Sequence, residues 1–138
     1  MIRRNFKPLS CDLDGNGPDS IHRAVALAQL FSVTNGLTPT QRAKLAVLVE
    51  EAVTNLYDHG AVGDRFQGRV DLLFDGEAIC IRISDSGEAF DPRTAEDIAM
   101  PNADRGGGAG LAMIRAWADI VDYRTRAGMN VLELKLRG

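Results

Sequence analysis

The pair Asp75-Gly76, with an alternating apolar run on each side, constrains the fold most. Before it, residues 68–74 carry Val70, Leu72 and Phe74 at every second position. After it, residues 78–84 carry Ile79, Ile81 and Ile83 in the same way. Period two places each triplet on one side of a strand, and Asp-Gly between two such runs is a hairpin turn signal. A second pair, residues 121–125 and 131–136 across Ala127-Gly128, closes the chain. Residues 2–9 read as an opening strand closed by Pro8, and residues 12–17 as a turn cluster.

The strands need a covering layer, and two helical patterns precede the first hairpin. Residues 18–35 place Pro18 and Asp19 in a first turn and Ile21, Val25, Ala28, Leu30 and Phe31 on an apolar face. Asn35-Gly36 ends that helix. A second starts at Thr38-Pro39, with its cap near Pro39 or Thr40, and runs to about His59, where Gly60 closes it. Residues 85–110 then form a Gly-, Asp- and Pro-rich loop. Loops of that length in a compact domain are usually functional. A last helix is expected over 111–119. The order predicts an α/β two-layer sandwich with a mixed, mostly antiparallel sheet and helices on one face. It is not a repeating strand–helix Rossmann unit.

The 138 residues fit a single domain spanning 1–138. A formal net charge of -3 argues against a general nucleic-acid binder, which needs a basic surface to neutralise phosphates. Cys11 and Cys80 are far apart, and neither has a neighbour at metal-ligand spacing, so both are expected as reduced thiols. The basic start has no apolar stretch behind it, and no run is long enough to span a bilayer. A cytoplasmic protein without a membrane partner is expected.

Three polar features interrupt this plain pattern. Along the second helix, Leu45, Leu48, Val49, Ala52, Val53 and Leu56 predict deep burial, yet Glu51, Asn55 and His59 recur at steps of four and share a face. That stripe suits the solvent face of an amphipathic helix. It also suits a metal-and-base pair, with the Asn55 amide oxygen for a hard cation such as Mg²⁺ and Glu51 as a general base. His59 also suits the negative end of the helix dipole. Asp85 and Gly87 follow a buried strand. They make an ordinary turn, or a carboxylate aimed at an amine beside backbone without a Cβ. Finally, Arg105, Gly106, Gly107, Gly108, Ala109, Gly110 and Leu111 lead into a helix. Unpaired N–H groups there can meet phosphate, with Arg105 adding charge. No Gly-Lys-Ser/Thr follows, so this is not a Walker A loop.

In order and spacing the three features resemble the boxes of the GHKL (Bergerat-fold) ATPases. Glu51-Ala52-Val53-Thr54-Asn55 with His59 and Gly60 resembles the N-box. Asp85-Ser86-Gly87 with Phe90-Asp91-Pro92 resembles the first glycine box, and Gly108-Ala109-Gly110-Leu111 the second. Within that superfamily the chain is most similar to the stand-alone anti-sigma-factor serine kinases. The resemblance implies ATP/ADP binding with Mg²⁺ held by Asn55, Glu51 as catalytic base, and Asp85 reading the adenine amine above Gly87. It also implies phosphates at Gly108 and Gly110 and a lid over about 92–107. The implied substrate is a serine of a STAS-domain anti-anti-sigma protein. A sigma factor and a homodimer are the further partners. Asp58 stands where histidine kinases commonly carry a basic residue, and Asn130 near a place where relatives often have Thr or Ser. Two other readings stay open: a non-catalytic nucleotide-sensing module that sequesters a partner, and a detached histidine-kinase-like ATPase domain.

Overall fold

The computed structural model describes residues 8–59, 65–87 and 107–137, with the backbone alone for His59 and residues 107–111. Among these residues the order is β1 (Leu9–Leu13), α1 (Gly17–Thr34), α2 (Pro39–His59), β2 (Gly68–Phe74), β3 (Ile79–Asp85), α3 (Gly107–Trp117), β4 (Ala118–Arg126) and β5 (Met129–Leu136). The strands form one sheet in the order β1-β2-β3-β5-β4. Every pairing is antiparallel, so the expected admixture of parallel strands is absent among the described residues.

The covering layer is built from the expected apolar faces. Ala24, Leu27, Ala28 and Phe31 of α1 are buried with Leu45, Leu48, Val49, Ala52 and Val53 of α2. They lie in one core with Val70, Leu72, Ile81, Ile83 and Leu134 from the sheet. Each fully buried Leu or Val contributes about 1.5–3 kcal/mol. The apolar face therefore seats α2, and its polar stripe has only to be tolerated. The opposite side of the sheet carries ion pairs, with Arg82 and Arg124 both on Glu133. Among the described residues no helix is long and apolar enough to cross a membrane.

Most boundaries differ from expectation by a few residues, and at β1, α2, α3 and β4 the reason is local. β1 starts after Pro8 and takes in Asp12 and Leu13, because Leu9, Cys11 and Leu13 pair with Leu72, Val70 and Gly68. Proline has no N–H for the ladder and so stands ahead of the strand. Residues 2–7 of the expected strand lie outside the described residues. The cap of α2 is Thr38, one residue early. Its Oγ1 accepts the Gln41 N–H at 3.1 Å, and Gln41 Oε1 accepts the Thr38 N–H at 2.9 Å. This reciprocal pair is a capping box, and Pro39 follows at the first helical position. α3 begins at Gly107, inside the glycine cluster, and ends at Trp117. β4 then starts at once, because the buried Ala118 faces Leu136 and Asp119 pairs with Lys135.

The two hairpins turn differently. At Asp75-Gly76 the Asp75 Oδ1 accepts the N–H groups of Glu77 and Ala78, and Gly76 takes φ of 93°. At Ala127-Gly128 both residues have positive φ, 54° and 79°, between the paired Arg126 and Met129. That is the two-residue turn whose twist matches the strands.

Candidate functional site

The alternation of β3 runs one step further than its isoleucines. Ile79, Ile81 and Ile83 face the helices, and Asp85 is the fourth inward position, only 6% exposed. Its register partners are Gly68 on β2 and Asn130 on β5, and Asn130 in turn faces Thr125 on β4. At this end of the inward face the apolar core gives way to a polar row. A Cβ on Gly68 would sit 2.9 Å from the Ser84 carbonyl oxygen and 3.2 Å from Leu13 Cβ, so only glycine lets the strands close beside Asp85.

The turn after β3 is held from both sides. Asp85 Oδ1 accepts the Gly87 N–H at 2.8 Å. Ser86 donates its N–H to the Gln67 carbonyl at 2.9 Å, and Gln67 returns its own N–H to Ser86 Oγ at 2.9 Å. The side-chain amide of Asn130 donates to Asp85 Oδ1 at 3.1 Å and to the Gly87 carbonyl at 2.8 Å. Thr125 donates its hydroxyl to Asn130 Oδ1 at 2.8 Å. Burial pushes the Asp85 carboxyl above the usual carboxylate range, against the pull of the Asn130 and Gly87 hydrogen bonds.

On α2, Glu51 and Asn55 are both half-buried. Lys44 lies seven and eleven residues before them, on the same stripe, and its ammonium is 6.0 Å from the centre of the Trp117 ring on α3. The stripe is therefore turned toward α3. That helix opens with Gly107, Gly108, Ala109 and Gly110, whose N–H groups have no acceptor within the helix. The glycines are thus the first turn of α3 and not a loop ahead of it. Glycine is a poor helix former, which is why the local pattern did not extend the helix to them.

The far end of α2 is tied down two residues past Asn55. Tyr57 donates its hydroxyl to the Asp14 carbonyl at 2.6 Å, and its ring meets Phe66 edge-on with centres 5.4 Å apart. A Cβ on Gly17 would press on that ring at 3.1 Å. The stripe thus sits on a helix fixed to the start of α1 and to the approach of β2.

The structure brings Asp85 and Gly87 into direct contact and sets Glu51 and Asn55 on one stripe facing α3. Gly107, Gly108, Ala109, Gly110 and Leu111 open α3. His59 is the last residue of α2. Arg105, Gly106, Phe90-Asp91-Pro92 and all but the last residue of the expected lid lie outside the described residues. One polar residue at the site, Asn130, enters the sequence reading only as a departure from the family pattern. Period two places it inward with Leu132, Leu134 and Leu136, a buried amide in an apolar row. That signal was legible, but its pairing with Asp85 depends on cross-strand register.

Among curated proteins none matches the chain. Residues 16–136, from the cap of α1 to the last residue of β5, match the family described as histidine kinase-like ATPase domain. The five-stranded antiparallel sheet and its helical layer are consistent with that match. This chain belongs to the histidine kinase-like ATPases, the GHKL group of ATP-binding domains.

Proposed function

We propose that the chain is an ATP-dependent protein serine kinase of the anti-sigma-factor type, acting on a STAS-domain anti-anti-sigma protein. The observation that carries this reading is the pair Glu51 and Asn55, half-buried on the stripe of α2 from which Lys44 reaches the Trp117 ring at the end of α3. A passive nucleotide binder has no need of a carboxylate there. The buried Asp85 carboxylate fits the exocyclic amine of adenine, and Gly87 leaves room for the ring. The N–H groups at the start of α3 fit the phosphates.

Among the described residues no three His, Cys, Asp or Glu side chains group to hold a metal. A Mg²⁺ ion would take its ligands from the phosphates and the Asn55 amide oxygen, and there it would offset the negative charge of the triphosphate. Glu51 would accept the proton of the substrate serine as its Oγ bonds to the γ-phosphorus. The bond from that phosphorus to the bridging oxygen breaks, and ADP leaves with the electron pair.

The test is transfer of labelled γ-phosphate to a serine of a purified STAS-domain protein. Glu51→Gln is expected to lower transfer by about a hundredfold or more while ADP affinity stays within about threefold of wild type. Transfer at the wild-type rate would remove Glu51 from the reaction. Tight ADP binding with no transfer to any STAS-domain protein would replace the kinase with a sequestering module. Label on histidine would indicate a phosphorelay domain.

A further inference from the structure

We propose that Tyr57 is a positioning residue for Asn55, pinning the last turns of α2 to the start of α1 and so aiming the Asn55 amide. The proposal rests on the reading of Asn55 as a ligand of Mg²⁺ and extends it to a side chain on another face of the helix. Asn55 stands four residues before the end of α2 at His59. The last four carbonyls of a helix have no N–H partner within it, and helix ends fray. Among the described residues the fully buried side chains of α2 end at Val53, before Asn55 is reached. Thr54, Asn55, Leu56 and Tyr57 are all only half-buried. This stretch needs a hold beyond the core, and Tyr57 supplies one.

The carbonyl that receives the Tyr57 hydroxyl belongs to a firm junction. Asp14 donates its own N–H to Ser20 Oγ at 3.0 Å, and Ser20 is 0% exposed. Asp14 Oδ1 accepts the Asn16 N–H at 2.9 Å, and Oδ2 accepts from Arg23 at 3.2 Å. Arg23 also donates to the Asp12 carbonyl at 3.2 Å and 3.3 Å, which ties α1 to the end of β1. The ring is held as well, edge-on to the buried Phe66 and close against Gly17. Two residues apart on a helix are about 200° apart around its axis. The pin at Tyr57 therefore lies on the far side of α2 from Asn55, where it resists rolling of the helix as well as fraying. Mg²⁺ demands near-ideal octahedral geometry at about 2.0–2.1 Å. A small roll of α2 would cost the ion its ligand while leaving the base, held from the sheet, in place.

Calorimetric titration of the full chain with ADP, once in EDTA and once in saturating Mg²⁺, tests this. The ratio of the two affinities reads the ion's contribution separately from that of the nucleotide. In wild type Mg²⁺ is expected to tighten ADP by about tenfold or more. In Tyr57→Phe, which keeps the ring and loses the hydroxyl, the ratio is expected to fall to about threefold or less. Its affinity in EDTA should stay within about twofold of wild type. Gly17→Ala keeps the hydroxyl and presses a Cβ on the ring at 3.1 Å, so it perturbs the same pin from another residue. It is expected to lower the ratio in the same direction, and it serves if Tyr57→Phe does not fold. An unchanged ratio in the variants, or an equal loss with and without Mg²⁺, would reduce Tyr57 to a structural role. A wild-type protein that binds ADP alike in EDTA and Mg²⁺ would instead overturn the reading of Asn55, and the proposal with it.

Discussion

At the scale of single residues, Asp85 carries two opposed demands. Burial raises its carboxyl above the ordinary range. A folded-state pKa above the unfolded one means that the folded chain holds the proton more tightly. The stability this provides is complete only below the unfolded value, about 3.9, and is lost as pH rises through the folded value. Above the folded value the ionised Asp85 therefore weakens the fold, although a ligand amine needs it ionised. Asp85→Asn keeps an oxygen for the Gly87 N–H and the Asn130 amide and removes the buried charge. It is expected to melt a few degrees higher than wild type at pH 7, and the gain should shrink as pH falls toward 4. Its amide would meet the adenine amine donor to donor, so ADP affinity should drop by about tenfold to a hundredfold. Melting curves across pH together with ADP titration check both halves. A variant that is less stable at pH 7 and binds ADP normally would show that Asp85 is held for structure alone.

Among the elements, the closing hairpin matters most to the site, because its turn sets Thr125 opposite Asn130 and its second strand pairs Asn130 with Asp85. That turn holds Ala127 at φ of 54°. A left-handed conformation costs a residue with a Cβ roughly 1–2 kcal/mol. Ala127→Asn would give the Asn-Gly pair that such turns favour. It is expected to stabilise by about 1 kcal/mol and raise Tm by a few degrees. ADP affinity should stay unchanged, since the register is kept. Thermal unfolding beside an ADP titration decides it, and a lower Tm would contradict the strain assigned to Ala127. Elements also differ in how plainly the sequence announced them. β2 and the inward face of β3 were legible because their apolar residues alternate and a turn signal divides them. The start of α3 was not, because its glycines read locally as loop. Nor was the start of β4, which follows Trp117 with no punctuation and is held by pairing to residues 135–136. The polar row was half legible: Asp85 stood out at the end of an apolar strand, but Asn130 became its partner only when the register was known.

For the whole molecule, the parts of the proposed site come from four separate stretches of sequence: α2, the β3 turn, α3 and β5. A ligand that spans them binds only the assembled fold, so its binding energy adds to the stability of the entire domain. ADP at a hundredfold excess over its Kd should add about 2.7 kcal/mol. For a chain of this length that corresponds to a rise in Tm on the order of 10 °C. Mg²⁺ should enlarge the shift in wild type, because Asn55 and the phosphates would share the ion, and EDTA should return it to the value for ADP alone. In Asn55→Ala the ADP shift should remain and no longer respond to Mg²⁺ or EDTA. Melting curves with ADP, ADP plus Mg²⁺, and ADP plus EDTA for both proteins separate the two roles. No rise at millimolar ADP would dissolve the nucleotide site as drawn. A Mg²⁺ response that survives in Asn55→Ala would leave the pocket standing and move the ion to another ligand.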